Sequence, residues 1–201
     1  MEKSKKNSKK IKTTVIIILT TIVILALAAV IIALSSPKVG FTERRDDIFY
    51  FPVDYNDNAY DDLVYMSKFR EVKFDYYGTA IFVNEENYAD QSVEAKFFYD
   101  YFQTVINGKY DRYKDFFSKS FFASHSIPAK FTMQKIYDIE VSTYSSDIKD
   151  GVAYETYKVS YKIQENNGTF RADVSSNESK PVAVTVQKGR EMKITSIIPI
   201  L

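Results

Sequence analysis

The sequence predicts an α+β domain carried behind a single membrane-crossing helix, and three observations support that class. Thr13 to Ser36 is a run of 24 residues without a charge. Between Ala95 and Ile106 the apolar residues recur at helical spacing. From Tyr137 onward the period falls to two, the pattern of half-buried strands. The expected architecture is an N-terminal transmembrane helix, then two or three helices packed on a curved antiparallel sheet of about five strands.

The anchor comes first in the chain. At about 1.5 Å per residue, the apolar run Val15 to Leu34 spans roughly 30 Å, the thickness of a bilayer's hydrocarbon core. Lys3, Lys5, Lys6, Lys9, Lys10 and Lys12 all precede it. By the positive-inside rule they fix the orientation: residues 1–12 form a basic cytoplasmic tail, 13–36 the membrane helix, and the rest lies outside the cytoplasm. A cleaved secretory signal is the alternative, with Ala33-Leu34-Ser35 as its small-residue site. Such signals carry an apolar stretch of only about 7–15 residues, so length favours an uncleaved anchor. The chain has no cysteine, which excludes both a lipid-modified thiol and a disulfide.

Charge divides by compartment. Six Lys and one Glu give the first 12 residues a net +5; the whole chain is +1, so the remainder sums to −4. A mildly acidic outer domain lacks the basic footprint that nucleic-acid binding requires. The tail is suited to anionic lipid headgroups. Aromatic residues make up 15% of the chain, ample for one hydrophobic core.

Residues 37–88 follow, as a stalk or as an extension packed on the main domain. Pro37 and Gly40 end the membrane helix. Ile48-Phe49-Tyr50-Phe51, Val72 to Tyr76 and Thr79 to Val83 are β-prone, and an acidic stretch from Asp54 to Asp62 precedes a short helix ending by Arg70. The main domain is expected over 89–201. Asp90 is placed to cap a helix that turns Ala95, Phe98, Tyr101, Phe102, Val105 and Ile106 inward, and Asn107-Gly108 stops it. A second helix, about Asp111 to Ser118, brings Tyr113, Phe116 and Phe117 to the same interior, with Phe121 and Phe122 after it. Tyr137, Ile139, Val141 and Thr143 then alternate as a strand. Asp150-Gly151 turns the chain into Tyr157, Val159, Tyr161 and Ile163. Asn167-Gly168 signals a tight hairpin into a strand holding Phe170, Ala172 and Val174. Val182, Val184 and Val186 form the next strand, and Lys188-Gly189-Arg190 turns into the last, with Met192, Ile194 and Ile198.

The stretch Phe97-Phe98-Tyr99-Asp100-Tyr101-Phe102, leading to Ile106-Asn107-Gly108-Lys109-Tyr110, resembles the cystatin-like fold of the nuclear-transport-factor-like superfamily. Asp115-Phe116-Phe117-Ser118, the hairpin strands and Lys193-Ile194-Thr195-Ser196-Ile197 extend the likeness over about residues 90–201. The resemblance implies a sheet wrapped as a cone around the helices, whose mouth serves as an enzyme site, a ligand pocket or an interface. The layout of short tail, single span and outer domain is also similar to the inner-membrane assembly protein of type IV secretion machines.

Candidate chemistry is sparse. His125, the single histidine, suits a superfamily base, yet spacing names no carboxylate to pair with it, and a solvated loop histidine is the plainer reading. Asp54-Tyr55-Asn56-Asp57-Asn58 alternates oxygen ligands as a calcium loop does. Ala59 and Tyr65 stand where that loop needs Gly and Glu, which favours a polar loop. The 16 tyrosines suggest sugar stacking, but most occupy apolar phases of helices and strands and read as core. Asn167-Gly168-Thr169 and Asn177-Glu178-Ser179 match glycosylation acceptors. There is no phosphate loop, zinc spacing or serine elbow.

The expected function is therefore a single-pass, extracytoplasmic, non-enzymatic domain of the cell envelope that binds other envelope proteins, with no cofactor and with self-association open to it. Phe98, Phe102, Tyr157, Tyr161 and Phe170 are the expected lining of its cavity or interface. A small-molecule or cell-wall ligand held in the cone is the alternative, and an isomerase- or dehydratase-like enzyme using His125 the second alternative.

Overall fold

The computed structural model describes residues 18–28, 39–40 and 44–200. The chain divides into two units, Met1–Pro37 and Lys38–Leu201. In the first, helix α1 covers residues 18–28, and all its side chains are exposed. The six tail lysines and both ends of the apolar run lie outside the described residues. Among the described residues no helix is long and apolar enough to cross a membrane.

The second unit is α+β, built on a sheet of six strands rather than five, and the sheet is mixed rather than antiparallel. Its strands are β2 (Val72–Tyr76), β3 (Thr79–Val83), β5 (Lys135–Lys149), β6 (Val152–Gln164), β7 (Val182–Gln187) and β8 (Lys193–Pro199), in the order β3-β2-β5-β6-β7-β8. A minor parallel pair joins β1 (Val39–Gly40) to β4 (His125–Ser126). Within residues 37–88, expected as a stalk or as an extension packed on the main domain, two of the three β-prone pieces form a hairpin whose first strand runs parallel to β5, with Val72 opposite Ile139 and Phe74 opposite Val141. A parallel neighbour needs a long crossover, and the helical segment before β5 supplies it. Val72, Phe74 and Val83 are buried in the main core, so this segment contributes to the domain's interior.

Helix α3 (Val93–Ile106) buries the six residues its spacing predicts, Ala95, Phe98, Tyr101, Phe102, Val105 and Ile106. Its cap is Ser92, which accepts the Ala95 N–H at 3.2 Å, and not Asp90, which closes a preceding 3-10 turn. Short helices α4 (Tyr110–Tyr113) and α5 (Phe121–Ser124), with a 3-10 turn at Lys114–Phe116, bring Tyr113, Phe117 and Phe121 onto the same core. A further short helix, α2 (Leu63–Met66), is capped by Asp62. The inner face of the sheet presents Ile139, Val141, Tyr157, Val159, Tyr161, Ile163, Val182, Val184, Val186, Ile194 and Ile197 to these helices. Each buried side chain of this size contributes about 1.5–3 kcal/mol by leaving water.

Two strand expectations require correction. The alternation in β5 slips at a bulge, where Asp138 takes φ +50°. Ile136 therefore faces the main core, while Tyr137 packs with Ala59 and Tyr65 in a separate cluster. The larger correction lies at Asn167-Gly168, which makes no hairpin, and residues 170–174 form no strand. Asn166 is fully buried, and its side-chain amide donates to the carbonyls of Arg171 and Val174 at 2.7 Å each. Those are carbonyls a neighbouring strand would otherwise have taken, so the segment closes on itself. Gly168 sits at φ +72°, and a Cβ there would stand 2.8 Å from the Tyr50 ring. The Ile48–Phe51 piece is not a strand either; its Phe51 N–H donates to the Asn166 carbonyl, tying it to this closed loop.

Candidate functional site

The five residues expected to line a cavity or interface belong to the packed interior. Phe98, Phe102, Tyr157, Tyr161 and Phe170 are all buried in the main core. Ring centroids stand 4.8 Å apart for Phe98–Tyr157 and 5.3 Å for Phe102–Tyr161. The helices and the sheet bring large aromatic side chains together at close-packing distances, leaving these five as core rather than as a binding wall.

The interior also holds polar groups that sequence reasoning missed. Arg171 and Asp173 are both buried, joined by two hydrogen bonds from Nε (2.5 Å) and Nη2 (2.8 Å) of Arg171. Arg171 Nη1 donates to the Tyr161 hydroxyl at 3.1 Å, and Lys180 reaches Asp173 at 3.1 Å. Burial alone would raise the Asp173 carboxyl; Arg171 and Lys180 more than offset it and hold the group below its ordinary value. The Tyr101 and Tyr113 hydroxyls meet at 2.8 Å, and burial pushes both above the ordinary tyrosine value. At neutral pH these hydroxyls stay protonated and cannot act as bases. Arg171 and Asp173 alternate with Phe170, Ala172 and Val174, so strand periodicity assigns them to solvent and gives no signal of burial.

The open surface lies on the other face of the sheet. There Lys73, Asp75, Asp138, Glu140, Ser142, Lys158, Ser160 and Lys162 stand on β2, β5 and β6, along a groove of about 510 Å³ that shares Lys73, Glu140, Ser160 and Ser179 with a second of about 300 Å³. Phe69 and Phe82 form one wall, with centroids 5.4 Å apart, edge to face. Ser179 and Pro181 belong to the opposite wall. The bulge builds the first wall, because the Asp138 N–H reaches the Phe69 carbonyl at 2.9 Å. The Tyr137 hydroxyl donates to Asn177 at 2.9 Å and fastens the loop that carries Ser179. Along the floor the charges pair: Lys73 donates to Glu140 and Lys162 to Asp138, each at 3.0 Å.

The remaining candidates have local partners. His125 stacks on Phe121 with centroids 4.7 Å apart, and its Nδ1 lies 2.9 Å from the Ser124 hydroxyl. Asp54 accepts the Asn56 N–H at 2.8 Å, and Asn58 caps a 3-10 turn. Asp62 caps α2 and binds Lys135 at 2.7 Å, which lowers its carboxyl chiefly through that hydrogen bond. Among the described residues no three His, Asp or Glu side chains converge as a metal site. Asn167 accepts from Thr169 and donates to Thr132, both at 2.7 Å. No known protein family, characterised protein or solved structure matches the chain.

Proposed function

We propose that the chain is a single-pass, extracytoplasmic, non-enzymatic domain of the cell envelope that binds another envelope protein through the outer groove of its sheet. The observation that carries this reading is the contrast between the two faces. The inner face is closed by aromatic packing, whereas the outer one offers a wide trough with an aromatic wall and a floor of paired charges and serines. The floor holds no imidazole, and it offers donors and acceptors of both signs at fixed spacing. An aromatic anchor beside a polar floor is the composition of protein-recognition surfaces. The filled interior weighs against the reading in which a small ligand occupies the cone. His125 stacks on Phe121 and bonds a serine, and no carboxylate among the described residues pairs with it.

Phe69 and Phe82 are each 47% exposed, so they can be changed without opening a cavity in the buried core. The paired change Phe69→Ser and Phe82→Ser is expected to release the partner when the full-length protein is purified from its membrane, with a binding loss on the order of 2 kcal/mol or more per anchor. Retention of every co-purifying envelope protein by that variant would sink the proposal.

A further inference from the structure

We propose that the tip of the β5–β6 hairpin is a self-association site, where β5 of one chain pairs antiparallel with β5 of a second copy about a two-fold axis at Ile148. Pairing with β2 ends at Ser142, opposite Asp75, and β2 itself ends at Tyr76. From there to Lys149, β5 is paired only with β6 among the described residues, which leave its other edge open. The two-residue loop Asp150-Gly151, with φ of 52° and 76°, closes on the Lys149–Val152 pair. Antiparallel alternation then turns the backbone N–H and C=O of Ile148 toward the open edge. In the single chain, the Asp147 carboxylate takes that N–H at 2.8 Å. Ile148 is 74% exposed, an apolar side chain at the free edge of a strand.

The occupant follows from register. When a strand pairs with its own copy within one sheet, the axis passes through a residue, because only then do facing side chains share a face. An axis at Ile148 sets Ile148 against Ile148 and places Asp147 opposite Lys149 of the other copy twice over. An axis at Asp147 or Lys149 brings like charges together, which destabilises a sheet pair. An axis at Ser146 drives the second strand toward the turn at Tyr77 and Gly78, beside the end of β2. The register at Ile148 is the one that is charge-complementary and clear of that turn. On pairing, the Ile148 N–H passes from Asp147 to the Ile148 carbonyl of the second copy, and the Asp147–Lys149 ion pair, 3.4 Å within the single chain, is exchanged for two such pairs between the copies. A contact of this length buries less than the roughly 1,200 Å² of a free-standing complex. It therefore depends on the effective concentration that two chains anchored in one membrane supply.

The chain has no cysteine, so single substitutions report register directly. In the full-length protein in its membrane, Ile148→Cys is expected to form a disulfide-linked dimer under mild oxidation, since an axial pair meets the distance a disulfide needs. Ser146→Cys, whose copies stand on opposite sides of the axis, should crosslink far less. Adding Asp147→Lys to Ile148→Cys should slow dimer formation on the order of tenfold, because two attractive pairs become repulsive. Adding Lys149→Asp as well should restore it. Equal crosslinking at 146 and 148, no dimer from Ile148→Cys, or failure of the double exchange to restore the rate would each overturn the proposal.

Discussion

Asp173→Asn is expected to destabilise the folded domain by about 3–5 kcal/mol, because it removes the buried carboxylate that two hydrogen bonds join to the Arg171 guanidinium. Arg171 is 1% exposed and Asp173 5%, so water cannot replace the lost carboxylate. Tyr161 remains bonded to the guanidinium but is neutral, and it offers no compensating charge. The acid response follows from the same pair. Asp173 is held below its ordinary value in the folded state, so its stabilisation is complete above about pH 4. It is lost as pH falls through that value and on through the lower folded one. The variant should therefore be less stable at neutral pH and less sensitive to acid. Urea unfolding followed by tyrosine near-UV circular dichroism, at a series of pH values, measures both effects. Equal stability of wild type and variant at pH 7 would mean that the buried pair is not formed.

Phe102→Ala should cost about 3–5 kcal/mol, the range for deleting a large aromatic side chain from a close-packed core. Phe102 is fully buried and lies edge to face with both Tyr101 (5.3 Å) and Tyr161 (5.3 Å). Neither ring can collapse freely into the space, since Tyr101 is held by Tyr113 and Tyr161 by Arg171. Phe102→Leu, which keeps most of the volume, should cost less. A shift in the denaturation midpoint without a change in slope would locate the loss in the native state. A cost under about 1 kcal/mol would instead indicate that the cone has spare room. That result would revive a cavity for small ligands.

Much of the scaffold is legible in the sequence, for a physical reason. Helix α3 and strands β6 and β7 each bury one face, so their period survives in the order of residues: Phe98, Phe102 and Ile106 on the helix, Tyr157, Val159 and Tyr161 on the strand. The Asp150-Gly151 turn was readable because positive φ at both positions favours that pair. Legibility fails where backbone partners come from far away. The parallel pairing of β2 with β5 links residues near 72 with residues near 139, and nothing local in Val72 to Tyr76 specifies it. Asn167-Gly168 carries the usual hairpin signal, yet the preceding Asn166 captures the carbonyls and turns the segment into a closed loop. The candidate site fared worst. Its floor consists of the polar phases of β2, β5 and β6, and its aromatic wall comes from the extension, so the groove exists only after the distant strands meet.

The outer groove is best tested by placing a photo-crosslinking side chain at Phe82 in the full-length protein, irradiating intact native membranes, and identifying the adducts by mass spectrometry. Asp111, an exposed residue on α4, serves as the comparison position. A discrete adduct with a second envelope protein from position 82, absent from position 111, is the predicted result. No adduct at 82, or the same adducts from both positions, would contradict the assignment of the groove as the binding surface.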